Sequence, residues 1–142
     1  MKTAPLIVSC IVMMLLASCG TVQTYEGPEQ PVDNVAIVQA SPRSMLEQVI
    51  GIYDQATVHA VDGVKSAASQ IHAEVLPGKH AITIRLDKVR SPMFYWANRT
   101  LTLNAEAGHV YIVHGIIIDE DNVFAWIVDK ETGLVVSGEK PD

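Results

Sequence analysis

The stretch Ile71-His72-Ala73-Glu74-Val75-Leu76-Pro77-Gly78-Lys79-His80-Ala81-Ile82-Thr83-Ile84-Arg85-Leu86-Asp87 decides the fold class. Ile71, Ala73 and Val75 alternate with His72 and Glu74. Ile82, Ile84 and Leu86 alternate with Thr83, Arg85 and Asp87. Successive strand side chains point to opposite faces, so each run has one apolar and one polar face. Between the runs, Pro77 and Gly78 stand at the second and third positions of a four-residue turn, the chemistry of type II. The pattern predicts a hairpin with one buried face. Its register is firm, because a one-residue slip would bury Arg85 and expose the isoleucines.

The same alternation continues downstream. Leu101, Leu103 and Ala105 alternate with Thr102, Asn104 and Glu106, and Ala107-Gly108 turns the chain. Val110 to Ile118 is apolar on both parities, which predicts a central strand covered on both faces. Asp119 to Asn122 reads as a turn, Val123 to Val128 as a strand, Lys130 to Gly133 as a turn and Leu134 to Val136 as a closing strand. Upstream, Val35 to Val38 is a short β-branched strand. In Ser41 to Gly51, Ser41 can cap a helix, Pro42 suits its first position and Gly51 can end it. Met45, Leu46, Val49 and Ile50 fall at helical spacing, which predicts a short helix packed on a sheet; an irregular strand is the alternative. Thr57 to Val61 is a strand followed by an Asp62-Gly63 turn, and Lys65 to Gln70 fits either a loop or a helical turn. The reading is mainly β: a small antiparallel sandwich, or half-open barrel, of about seven strands with one short helix. There is no internal repeat.

Residues 1–18 differ from all of this. Lys2 is the only charge, and Leu6 to Leu16 is an apolar run of eleven residues. A helix crossing a bilayer core needs roughly 20. A charged start, a short apolar core and small residues before a break read as a secretory signal peptide. Leu16-Ala17-Ser18-Cys19 resembles the lipobox of bacterial lipoproteins. The resemblance implies a diacylglyceride on Cys19 and cleavage between Ser18 and Cys19. Gly20 follows, rather than the aspartate that tends to retain such proteins in the inner membrane. The implied address is the outer membrane, on its periplasmic face, with the cell surface as the alternative. Two or three acyl chains anchor stably where one is marginal. Cys10 leaves with the signal and Cys19 is alkylated, so the mature chain of 124 residues has neither a free thiol nor a disulfide. Residues 19–34 are polar and contain two prolines, and read as a lipidated flexible linker with a span of about 20 Å. The domain then occupies residues 35–142.

A second resemblance concerns the domain. Glu74-Val75-Leu76-Pro77-Gly78-Lys79-His80-Ala81-Ile82-Thr83-Ile84-Arg85-Leu86 resembles PEGA-type modules, surface-layer-associated sandwiches in which a Leu-Pro-Gly-x-His turn joins two strands. Asn104 to Tyr111 and Ala125 to Val136 are similar to C-terminal stretches of small proteobacterial outer-membrane lipoproteins. The likeness covers residues 56–136. The segment from Ser41 to Gln55 departs from a bare PEGA module.

Charge and motifs narrow the function classes. Without Lys2, nine basic side chains face sixteen acidic ones. That balance argues against nucleic-acid binding and against attraction to anionic lipid. His59, His72, His80, His109 and His114 form no H-E-x-x-H or H-x-H pair. His109 and His114 differ by an odd number, so on one strand they face opposite ways. His80 follows the Pro-Gly turn, where its ring can bond a backbone group. Asp119, Glu120 and Asp121 lack the glycine of a calcium loop, whose sixth position here is Phe124. No nucleophile elbow, S-x-x-K set or phosphate-binding loop occurs. No cofactor or metal is expected. Trp126, within a strand, reads as core. Met93, Phe94, Tyr95 and Trp96 hold three of the chain's eight aromatic residues in an expected loop. Exposed, they would suit an envelope protein or glycan partner; alternatively they fold back to cap the sandwich end. The expected function is a lipid-anchored, non-catalytic envelope binding module. The alternatives are an envelope hydrolase with a histidine-based or metal site, and a purely structural lipoprotein.

Overall fold

The computed structural model describes residues 21–65 and 72–142; Cys19, the Ser18–Cys19 bond and the segment from 66 to 71 lie outside them. The strands are β1 (Thr21–Gln23), β2 (Ala36–Ala40), β3 (Ile52–Val61), β4 (Val64–Lys65), β5 (His72–Val75), β6 (Gly78–Arg90), β7 (Met93–Ala105), β8 (Val110–Ile117), β9 (Val123–Asp129) and β10 (Val135–Gly138). One helix, α1 (Met45–Ile50), and a 3-10 turn at Val32–Asn34 complete the described structure. The strands form two sheets, one of order β1-β5-β2-β8-β9-β10 and one of order β4-β3-β6-β7. The fold is therefore a small β-sandwich. Its pairs are antiparallel except β1 with β5 and β2 with β8.

The core sits where the alternating faces meet. Val38, Ala73, Val75, Tyr111, Val113 and Ile127 point inward from the larger sheet, and Val58, Ile82, Ile84, Leu86 and Leu103 from the smaller. The parity read from the sequence therefore holds on both sides of Pro77. The hairpin does not. β5 pairs with β1 and β2, whereas β6 pairs with β3 and β7. Leu76 and Pro77 carry the chain from one sheet to the other, across the core. Gly78 takes the positive φ of 126° that this corner requires. The two strands of the PEGA-like stretch thus belong to different sheets instead of sharing a ladder.

Five other expectations change. Residues 21–34 are not a free linker: β1 adds an edge strand, Thr24 donates both its N–H and its hydroxyl to the Glu74 carbonyl, and the Tyr25 hydroxyl bonds the Glu74 carboxylate. The domain thus begins by Thr21. β8 is central but sealed on one face only; Ile112, His114 and Ile116 are half-buried. Trp126 points to that outer face and stacks on His114, with centroids 5.5 Å apart, rather than filling the core. Helix α1 forms as expected but by a different cap. Ser44 accepts from Leu46 and Glu47 N–H while Glu47 reaches back to the Ser44 N–H, a capping box, and Gly51 closes the helix at φ 69°. Ser41 instead donates to the Val113 carbonyl. Nor does α1 pack on a sheet: Met45, Leu46, Val49 and Ile50 are all exposed.

Candidate binding site

The smaller sheet is longer than the larger. Lys88 of β6 donates to the carbonyls of Ile117 and Ile118, 2.8 and 3.0 Å away, where β8 ends. β6 and β7 continue past that level, so their connecting turn at Ser91 and Pro92 overhangs the sandwich. The register places Met93 opposite Arg90, Phe94 opposite Val89, Tyr95 opposite Lys88 and Trp96 opposite Asp87. Residues 93–96 are thus a strand, not a loop, and strand alternation splits them. Phe94 and Trp96 share the outer face, where the Arg85 guanidinium lies 5.1 Å from the Trp96 ring centroid. Met93 and Tyr95 share the inner face, and the Tyr95 hydroxyl donates to the Met93 sulfur.

All four side chains are half in water, at 47–58% exposure. They do not fold back to cap the sandwich. Beneath the overhang lies an open groove of about 770 Å³, walled by Lys88, Met93, Tyr95, Ile118, Asp119 and Val123 among others. Its charged walls are rigid. Arg90 spans the Tyr53 carbonyl and the Asp54 carboxylate at 3.1 and 2.8 Å. Asp119 is held below the usual carboxylate range, chiefly by the Asn122 amide, then by the N–H groups of Asn122 and Asp121 and by nearby Lys88. Lys88 and Arg90 therefore present methylene stems and leave the floor apolar. Such a groove can hold a flat or extended apolar ligand edge.

The histidines lie elsewhere. At the opposite end of β6, His80 bonds Asp62 through Nδ1 and the Leu76 carbonyl through Nε2, both at 2.7 Å, and so clasps the sheet-switching corner. His109 bonds Asp129 at 2.7 Å. His114 Nδ1 lies 3.0 Å from the Ser41 hydroxyl. That hydroxyl must donate to the Val113 carbonyl, 2.6 Å away, because a carbonyl only accepts. The ring is then the donor to Ser41, the reverse of a base taking a serine proton. Burial also holds His114 below its ordinary value, with a smaller effect from Lys140. Among the described residues no three His, Cys, Asp or Glu side chains converge to hold a metal.

Sequence reasoning found the aromatic run but missed Lys88, Ile118 and Val123. They join it only because β6 and β7 overrun β8. The one local signal is Ser91-Pro92, which marks the true turn before Met93. No family model, curated protein or solved structure matches the chain.

Proposed function

We propose that the protein is a lipid-anchored, non-catalytic binding module of the bacterial outer envelope, tied through Cys19 and contacting an envelope protein or glycan through the β6–β7 overhang. One observation carries the binding reading: four consecutive apolar and aromatic side chains stay half in water above an open groove. Leaving them bare forgoes burial worth about 1.5–3 kcal/mol for each large side chain, which a bound partner restores. A photo-crosslinker at Trp96 is expected to yield a discrete adduct in intact envelopes, and the same probe at Lys79, at the other end of β6, none. Substituting Met93 and Tyr95 by serine should abolish the Trp96 adduct. Equal adducts at both positions would sink the reading.

The anchor rests on the lipobox resemblance. Palmitate label is expected in the wild type and absent from Cys19→Ala, which should leave the membrane fraction. Equal label in both would remove the anchor.

A further inference from the structure

We infer that α1 lies in the surface of the same bilayer that holds Cys19. The inference rests on the anchor reading above. Thr21 of β1 stands opposite His72, and His72 opposite Gln39 of β2. Thr21 and Gln39 thus share one row of the sheet, two strand spacings or about 10 Å apart. β1 runs antiparallel to β2, so the chain before Thr21 leaves the sheet in the direction taken by the chain after Ala40. That second segment becomes α1. Cys19 stands two residues before Thr21, and two residues reach at most about 7 Å. Acyl chains on Cys19 therefore enter a membrane at the end of the sandwich from which the chain departs into α1.

The chemistry of α1 fits that position. Met45, Leu46, Val49 and Ile50 are 54–85% exposed. Among the described residues no strand covers them, although the capping box and the left-handed Gly51 hold the helix formed. Gly51 ties it down: its carbonyl accepts from Ser91 N–H, and an added Cβ would lie 3.2 Å from the Ser91 side chain. Arg43 holds the other end through the Tyr53 ring at 4.3 Å and the Gln55 amide oxygen at 2.6 Å. A short apolar helix pinned at both ends, beside a lipid anchor, is an interfacial element. Alone it is too small to bind membrane. Tethering supplies the high local concentration it needs.

Acylated mature protein, residues 19–142, carrying Val49→Cys has one free thiol, because Cys10 leaves with residues 1–18 and Cys19 is modified. An environment-sensitive fluorophore on that thiol is read in phosphatidylethanolamine–phosphatidylglycerol vesicles. Its emission is expected to rise roughly twofold or more and to be quenched by lipid-borne nitroxide; the same label at Lys79→Cys should not respond. Acylated, vesicle-bound protein with a water-exposed label at 49 overturns the inference and leaves the anchor intact. Protein whose mass shows no acyl chains, or retains residues 1–18, overturns both. A bright label without vesicles, in protein sedimenting as a dimer, shows that a second copy covers α1 and overturns the inference.

Discussion

Gly115→Val is expected to strip the domain of a large part of its stability, read as a fall in its urea midpoint. Gly115 sits in β8, opposite Ala125 of β9 and facing β6 across the core. Its backbone is ordinary strand, so conformational freedom is not the reason for glycine. Space is. A Cβ there would stand 2.1 Å from Leu86 Cδ2 and 2.9 Å from the Phe124 carbonyl oxygen. Leu86 is 1% exposed and belongs to the core cluster, so its methyl cannot step aside without disturbing that packing. The Phe124 oxygen is backbone and moves only if β9 moves. Overpacking at a well-filled site costs about 1–3 kcal/mol and more where backbone must shift. For valine, a loss of about 4 kcal/mol is expected, against a typical total of 5–15. The urea midpoint should fall by about 2 M. Gly133→Ala gives the comparison: its Cβ meets nothing within 4 Å, but φ is 73°, so only the left-handed cost of about 1 kcal/mol applies. Gly115→Ala with Leu86→Val should regain part of the loss and not all of it, because the Phe124 clash remains. An unchanged midpoint for Gly115→Ala would mean that the sheets are not this close.

That contact shows how far the sequence could be read. Ile82, Ile84 and Leu86 announce their parity locally, because alternation is a property of one strand. Which sheet a strand joins is decided by distant partners. Nothing in Pro77-Gly78 distinguishes a turn that returns to its own ladder from one that crosses the core, so the hairpin expectation failed while the buried face was right. Periodicity has the same limit in α1. Met45, Leu46, Val49 and Ile50 announce an apolar stripe, but a stripe does not say that a partner lies within its own chain. Val110 to Ile118 and Trp126 misled for a related reason. An apolar residue on a strand can serve the outer face, where His114 and Trp126 cover each other and leave the interior to Tyr111 and Val113. The overhang depends on β6 and β7 having 13 residues each where β8 has 8. Strand length beyond the sheet edge has no local signature, so Met93 to Trp96 read as loop.

Asp129→Asn is expected to remove the decline in stability between about pH 5 and 8.5 and to lower stability at the acid end, where the charge-assisted hydrogen bond from His109 is lost. Asp129 is 5% exposed, the one buried charged side chain among the described residues. One oxygen accepts from His109 Nδ1 and the other from the N–H groups of Glu131 and Thr132. The pair joins the start of β8 to the turn after β9, where Tyr111 stacks on the His109 ring. The hydrogen bond to Asp129 raises His109 above its ordinary 6.5; burial opposes this, and Glu106 and Glu131 add to it. The bond from His109 likewise lowers Asp129 below 3.8, with help from the two backbone N–H groups and against burial. A raised histidine contributes stability that is full below 6.5 and lost as pH rises through its folded value. A lowered carboxylate contributes stability that is full above 3.8 and lost as pH falls through its folded value. Both contributions are complete only between these limits. Wild-type protein should therefore be most stable near pH 5, and its urea midpoint should decline as pH rises past neutrality, when His109 loses its proton. Asparagine at 129 keeps an oxygen for the turn N–H groups but gives the histidine no charge to hold. Its midpoint should start lower at pH 5 and show no alkaline decline, rising slightly as pH passes neutrality because buried His114 favours its neutral form, so that the two proteins converge. Parallel declines in both would show that another group, and not the His109–Asp129 clasp, sets the alkaline limb.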